Sequence, residues 1–460
     1  MTAPRHIAVI DIGKTNAKLA LVDLAARAEI AVTTRPNRVI PGPPWPHFDT
    51  EGHWQFILDG LRDLHARHGV DAISVTTHGA SGVLLDAKGG LAAPVLDYEH
   101  TGPDGRTAAY DALRPDFALT GSPRLPMGLN LGAQIHWQFA TDPGLRDRVA
   151  SLVSYPQYWG FRLTGVRASD VTSLGCHTDL WNPATSQPSP LLAALGLAGK
   201  LAPPRRPAEV LGLITAEVAA ATGLPASTPV AVGIHDSNAS LLPHLMAREG
   251  AFSVVSTGTW VVVMTVGGDP VTLDPARDTL VNVNAFGQPV PSARFMGGRE
   301  HDLILQGQPD TPPSAADRAA VLAGLMLLPA VQPGSGPFPQ GRSHWHPAPP
   351  VTPGQRSLGL GYYLALMTAT CLGMTGSRGP VIVEGPFARN GAYLDMLTIA
   401  TGQPVIASAS QTGTAMGAAL LFAPGASLPA PQDAPHPTPP DATALRDYAK
   451  AWQHRAEGRE

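Results

Sequence analysis

"IAVIDIGKTNAKLALVD", from Ile7 to Asp23, ends its turn in Gly13-Lys14-Thr15, the last three letters of a phosphate loop. The spacing excludes that loop, because its first glycine would stand five residues before Gly13, where the chain has Ala8. The context excludes it as well. A phosphate-loop lysine opens a helix, whereas Lys18, Leu19, Ala20, Leu21 and Val22 form a β-like run ending at Asp23. The stretch therefore reads as strand, Asp-Ile-Gly turn, strand. Such a turn still offers backbone N–H groups and small side chains to a phosphate, with Asp11 nearby to hold a hydrated Mg²⁺. A plain hairpin is the other reading of the same letters.

The pattern returns some 245 residues later. "FSVVSTGTWVVVMTVGG", from Phe252 to Gly268, is again strand, small polar turn, strand. Between and around the two hairpins, strands and helices alternate. "EGHWQFILDGLRDLHARHG" places Trp54, Ile57, Leu58, Leu61 and Leu64 at helical spacing, and "VDAISVTTHG" returns as a strand. "TAEVAAATGL" is a helix feeding the strand "PVAVGI". This alternation predicts α/β sheets flanked by helices. Two similar domains, each opening with a phosphate-sized turn, would clasp a nucleotide between them. The expected boundaries are 1–237 and 238–424, then a proline-rich linker at 425–441 and a terminal helix at 442–460.

Composition narrows the class. With 460 residues the chain can bury more than one core. A formal charge of −4 gives no basic field for a nucleic-acid partner. Cys176 and Cys371 form neither a disulfide framework nor a C-x-x-C knuckle. The amino terminus runs straight into a strand with no signal peptide, and no apolar run reaches the roughly 18 residues of a membrane span. The expected setting is the cytoplasm, with no membrane partner.

"VAVGIHDSNAS" carries the first chemistry. A β run ends at Ile234, and Asp236 and Ser237 fall where the next helix starts. Asp236 is there either as an N-cap or as a base that takes a proton from a substrate hydroxyl at a strand's carboxyl end. His235-Asp236 also matches the HD pair of metal phosphohydrolases, but no cluster of further His and Asp ligands stands out. The last block, Pro380 to Phe422, has two glycine turns before helices. Gly385 and Asn390 sit where backbone can approach adenine or ribose, and Gly413 opens the final helix.

These residues resemble the FGGY carbohydrate kinases, two-domain members of the sugar kinase, Hsp70 and actin superfamily. The likeness runs in order through "DIGKTNAKLALVD", "VSYPQYWGFRLTG", "DVTSLGCHTDLWN", "GIHDSNAS", "STGTW", "VEGPFARN" and "GTAMGAALL". "GIHDS" and "STGTW" are most similar to the rhamnulokinase and fuculokinase branch. Two departures stand out: Lys14 replaces a small residue, and Pro386 replaces the second glycine of the adenosine motif.

The resemblance implies two actin-like, ribonuclease H-like α/β domains with a nucleotide cleft between them. It implies transfer of the ATP γ-phosphate to a sugar hydroxyl, with Asp236 as catalytic base and Asp11 placing Mg²⁺. Gly13, Lys14, Thr15, Asn16 and Lys18 would serve the first phosphate site, and Thr257, Gly258 and Thr259 the second. Gly385, Asn390 and Gly413 would line the adenosine site. Sugar contacts would come from Thr77, His78 and Gly79, from Asp97, Tyr98 and Glu99, and from Asn130 and Gln134, all facing Asp236. A ketose such as L-rhamnulose or L-fuculose is the expected acceptor. The alternatives are another ketose or polyol (xylulose, ribulose, erythritol or glycerol), or a non-catalytic nucleotide-gated, chaperone-like module. The chain would be a monomer or homodimer. The tryptophans Trp137, Trp159 and Trp181 read as core.

Overall fold

The computed structural model describes residues 4–408, 413–423, 425, 428 and 434–458. Two compact units emerge. The first holds Met1–Arg248, Val281–Pro289 and Thr412–Pro429; the second holds Glu249–Leu280, Val290–Gln411 and Ala430–Glu460. The boundary expected at 237 therefore shifts, because the helix Asp236–Ala247 stays with the first unit. Its Ala239 and Leu242 are buried with Ile7, Val9 and Ile234, so a cut at Asp236 would strip that core. Of the expected linker, residues 426–427 and 429–433 lie outside the described residues.

In the first unit a seven-stranded sheet runs Val210–Leu213, Pro229–Ala231, Ala72–Thr77, His6–Ile12, Asn16–Asp23, Ala28–Pro36, with Ile234–His235 also paired to Ala72–Thr77. The opening strand is apolar on both faces because both are covered. Ile7 and Val9 face the layer containing Ala239, Ala415 and Ala418. Ala8, Ile10 and Ile12 face the opposite layer, with Leu61, Trp159 and the helix Thr50–His68. Strand side chains alternate, so Asp11 falls on the Ile7–Val9 face, the one that carries the Asp236 helix. That alternation places a carboxyl group of the first motif on the side of the carboxylate of the fourth.

The second unit repeats the topology. Its strands are ordered Pro289–Phe295, Val261–Val266, Phe252–Thr257, Val381–Glu384, Val405–Ala407. In both sheets the hairpin is antiparallel and its first strand pairs in parallel with a strand from much later in the chain. The helix Pro353–Met374 forms the spine of this unit's core, with Leu358, Tyr362, Tyr363 and Met367 buried. It corrects the expectation that no segment reaches membrane-span length: by length and composition this helix qualifies. Of its most apolar stretch, 78% is buried inside the protein, which is the environment of a core helix. The terminal helix Ala442–Ala456 is docked rather than free. Leu445, Tyr448 and Trp452 enter the same core, and the Trp452 indole donates to the Leu327 carbonyl at 2.7 Å. Each such apolar side chain contributes about 1.5–3 kcal/mol by burial.

Candidate active site

In the first unit the opening turn is closed by Gly13 N–H donating to the Asn16 carbonyl at 2.9 Å. Asn37 pins it from outside, its backbone N–H to the Thr15 carbonyl and its side-chain amide to the Gly13 carbonyl, both at 2.8 Å. His53 in turn fixes Asn37 through a 2.8 Å bond between Nε2 and Oδ1. The turn is thus pinned from one side, with Thr15 and Asn16 exposed. Lys18 pairs with Glu29 at 2.8 Å, so its ammonium is spent on the neighbouring strand. Lys14 is ion-paired to Asp97.

Asp236 is the first residue of its helix; the N-cap position belongs to His235. Its carboxylate accepts Ser237 N–H at 2.6 Å and lies 3.1 Å from His235 Nε2, with about a third of the side chain (32%) exposed. Such a group is both held and reachable. Burial, followed by the charge of Asp236, pushes Asp11 up to about 7. The charge of Asp236 thus reaches Asp11, and a divalent cation brought in with a nucleotide would relieve that repulsion, but no group of three or more His, Cys, Asp or Glu side chains that could hold a metal gathers among the described residues.

Behind Asp236 lies a buried layer. Burial works against a charged His235, but the neighbouring Cys176 and Asp236 outweigh it and raise the ring toward the imidazolium. Cys176 Sγ is 3.8 Å from His235 Nε2. The His235 backbone N–H donates to Thr172 Oγ1 at 2.9 Å, and Thr172 bonds the buried Asp170. A Cβ at Gly79 would stand 2.7 Å from His235 Nε2, which is why this position after His78 is glycine.

The proposed sugar contacts divide. The His78 ring is enclosed by Phe48, Tyr98 and Tyr155, with centroids 5.1, 5.1 and 5.2 Å away. Its Nδ1 meets the Gly79 carbonyl at 2.9 Å, and its Nε2 has no hydrogen-bond partner among the described residues. Burial lowers its pKa, leaving a neutral ring. Thr77 is buried and donates to the His78 carbonyl. Asn130 is consumed by structure: it caps the helix Leu131–Thr141, accepts from Tyr110 and donates to Pro123 and Asp179. Gln134 clasps the Ala80 and Gly128 carbonyls. These two side chains hold their own loops together rather than present free groups.

In the second unit, Thr257, Gly258 and Thr259 form the turn after Phe252–Thr257, closed by Gly258 N–H to the Trp260 carbonyl at 2.9 Å. Thr257 Oγ1 donates to the Glu384 carbonyl and accepts Phe387 N–H at 3.1 Å, sewing this turn to the one after Val381–Glu384. Gly385 (φ 83°, ψ −159°) makes the bend, and Pro386 starts the short helix that follows, where no N–H is needed. Asn390 caps the helix Gly391–Thr401 through Tyr393 N–H at 3.0 Å. Between these turns opens a cavity of about 520 Å³, lined by Gly258, Thr259, Gly298, His301, Pro386 and Asn390. Gly413 does not line it; it opens the helix Thr414–Ala419, counted with the first unit.

The helix Gly297–Leu305, which opens on "GGREHD", is absent from the residues the sequence points to. Gly298 lies against the Gly258 carbonyl with no room for a Cβ, and His301 reaches the cavity beside Phe387. His301 is raised by Asp310 first, with burial opposing and Asp302 assisting. A glycine doublet directly after a strand was the available signal.

Two α/β units of one topology, each opening with a phosphate-sized hairpin turn, are what the resemblance to two-domain sugar kinases implies. The model for the FGGY family of carbohydrate kinases, N-terminal domain, matches residues 6–243, and that for carbohydrate kinase FGGY, C-terminal domain, matches 249–431. The chain belongs to the FGGY family of carbohydrate kinases. It is 29% identical to the L-fuculokinase of Salmonella typhi over 278 residues, 57% of each chain. To the rhamnulokinase of Bacillus subtilis (strain 168) it is 26% identical over 233 residues, 48% of this chain and 46% of that one. The matched part thus spans about half the length of these curated relatives. The crystal structure of a carbohydrate kinase from Novosphingobium aromaticivorans superposes with a TM-score of 0.89 at 36% identity, covering 100% of this chain and 99% of that one.

Proposed function

We propose that the chain transfers the γ-phosphoryl group of ATP to a hydroxyl of a small ketose, of the L-fuculose or L-rhamnulose type. The observation that carries this reading is Asp236, a held but reachable carboxylate on the same face of the sheet as Asp11. In the reaction the acceptor hydroxyl gives its proton to Asp236 as its oxygen bonds the γ-phosphorus and the bond to ADP breaks. Positioning and charge neutralisation dominate such transfers. Backbone N–H groups of the Gly13–Asn16 turn would receive phosphate in the first unit; in the second, those of the Thr257–Thr259 turn would do so, and the cavity beside Pro386 and Asn390 would take the adenosine. Mg²⁺, carried in with ATP, would neutralise phosphate charge, and Asp11 would hold it through water.

ADP release from Mg-ATP across D-xylulose, D-ribulose, L-fuculose, L-rhamnulose, erythritol and glycerol tests the proposal. One acceptor should raise turnover well above the acceptor-free rate. ATP hydrolysis indifferent to every acceptor would instead favour a nucleotide-gated module.

Asp11 sets a pH dependence. Its raised pKa means that below about pH 7 it is protonated and cannot serve a cation, so Mg-ATP affinity should fall roughly tenfold from pH 8 to pH 6. The effect on stability has the opposite sign. The folded chain keeps a proton that the unfolded chain loses near 3.8, so the metal-free protein loses stability as pH rises from there through about 7. Titration calorimetry of native and Asp11→Asn chains separates this from ATP's own phosphate, which titrates identically in both. Superimposable profiles would remove Asp11 from the metal site.

A further inference from the structure

Lys14 occupies the turn where the family pattern has a small residue, yet its ammonium turns away from that turn's backbone. It is ion-paired to Asp97 and lies 3.1 Å from a Glu99 carboxylate oxygen. The same ammonium sits over two aromatic rings, 4.9 Å from the Tyr98 centroid and 5.4 Å from that of Phe48. Those rings also enclose His78, whose Nε2 is buried without a partner. Lys14 is therefore built into the aromatic wall that carries the candidate acceptor groups. Asp97 has little freedom of its own: it is 7% exposed, and its carboxylate also accepts Glu99 N–H at 3.2 Å.

We propose that Lys14 is an acceptor-side positioning residue, the counter-charge that fixes Asp97 and Glu99 as hydrogen-bond acceptors for an uncharged polyhydroxy substrate. The inference rests on the kinase reading above. One ammonium balances one of the two carboxylates, so the wall keeps an excess negative charge. Hydroxyl donors satisfy such a wall, whereas a substrate carboxylate is repelled by it. The cation–π seat and the double ion pair hold the lysine without a phosphate.

The test is steady-state kinetics of native, Lys14→Met, Lys14→Arg and Asp97→Asn chains, with ATP and with the best ketose of D-xylulose, D-ribulose, L-fuculose and L-rhamnulose. Lys14→Met should raise the acceptor KM tenfold or more while the ATP KM changes less than threefold. Lys14→Arg keeps the charge and should recover part of the loss in acceptor KM, while melting temperatures of the variants report any folding defect separately. Adding Asp97→Asn to Lys14→Met should cost far less than the sum of the single changes, as expected of two groups acting through one contact. D-gluconate, an anionic arm, should stay below a tenth of the best ketose in kcat/KM. A rise in ATP KM with the acceptor KM unchanged, equal effects on both, or efficient turnover of D-gluconate would each overturn the inference while leaving the kinase reading intact. A native chain that phosphorylates no acceptor removes the kinase reading itself, and this inference with it.

Discussion

Asp236→Asn should lower kcat by ~10²–10⁴, with the ATP KM close to native. Asparagine has nearly the same shape, and an amide oxygen can still accept Ser237 N–H as the carboxylate Oδ1 does. What is lost is the ability to take a proton, so the acceptor must attack as a neutral hydroxyl. In free energy the change amounts to about 3–5 kcal/mol in the barrier. A secondary effect runs through His235. Asp236 is one of the charges that raise the ring, so the variant should titrate His235 at lower pH than the native chain. Acceptor-dependent ADP release measures the main effect, and ring titration by NMR reports the second. A kcat within threefold of native would remove Asp236 from the chemistry, whatever happened to His235.

How much of this was legible in the sequence depends on the range of the interaction. The strands Ile7–Asp23 and Phe252–Val266 announce themselves through alternation and apolar runs, because the signal is local and both faces are buried. Asp236 at a helix start was equally readable, although the cap itself proved to be His235. Long-range choices were not. Lys14 sits in a turn of phosphate-binding size and spends its charge on a residue 83 positions away. Lys18 looked available and was taken by Glu29 across a hairpin. Asn130 has the chemistry to read a hydroxyl, but its amide is divided among Tyr110, Pro123, Asp179 and a helix cap. Residue type and spacing state what a side chain can do; the fold decides which partner claims it. The shift in unit boundary has the same origin, since Ala239 and Leu242 look like any helix face until Ile7 and Val9 cover them.

Gly385→Ala should damage both stability and nucleotide binding in the second unit. At φ 83° and ψ −159° the backbone lies where side chains are rarely tolerated, at a cost of about 1–3 kcal/mol. Space is the second obstacle. A Cβ there would fall onto the Thr257 carbonyl oxygen and within 2.8 Å of Thr257 Oγ1, at the strand end that launches the Thr257–Thr259 turn. Overpacking of this kind adds about 1–3 kcal/mol. The strain has two ways to relax, and both pass through the cavity. Either the Thr257–Thr259 turn retreats, or the Pro386–Arg389 turn swings out and gives up Phe387 N–H to Thr257 Oγ1. Mg-ATP affinity should therefore fall at least tenfold, with a drop in melting temperature of several degrees. Gly391→Ala is the internal control: its Cβ meets nothing within 4 Å, and the change should be neutral or stabilise by about 0.4–1 kcal/mol. Calorimetry with Mg-ATP and thermal unfolding decide the matter together. If Gly385→Ala unfolds earlier yet binds Mg-ATP with native affinity, the bend is only architectural, and the adenosine site must be sought away from these two turns.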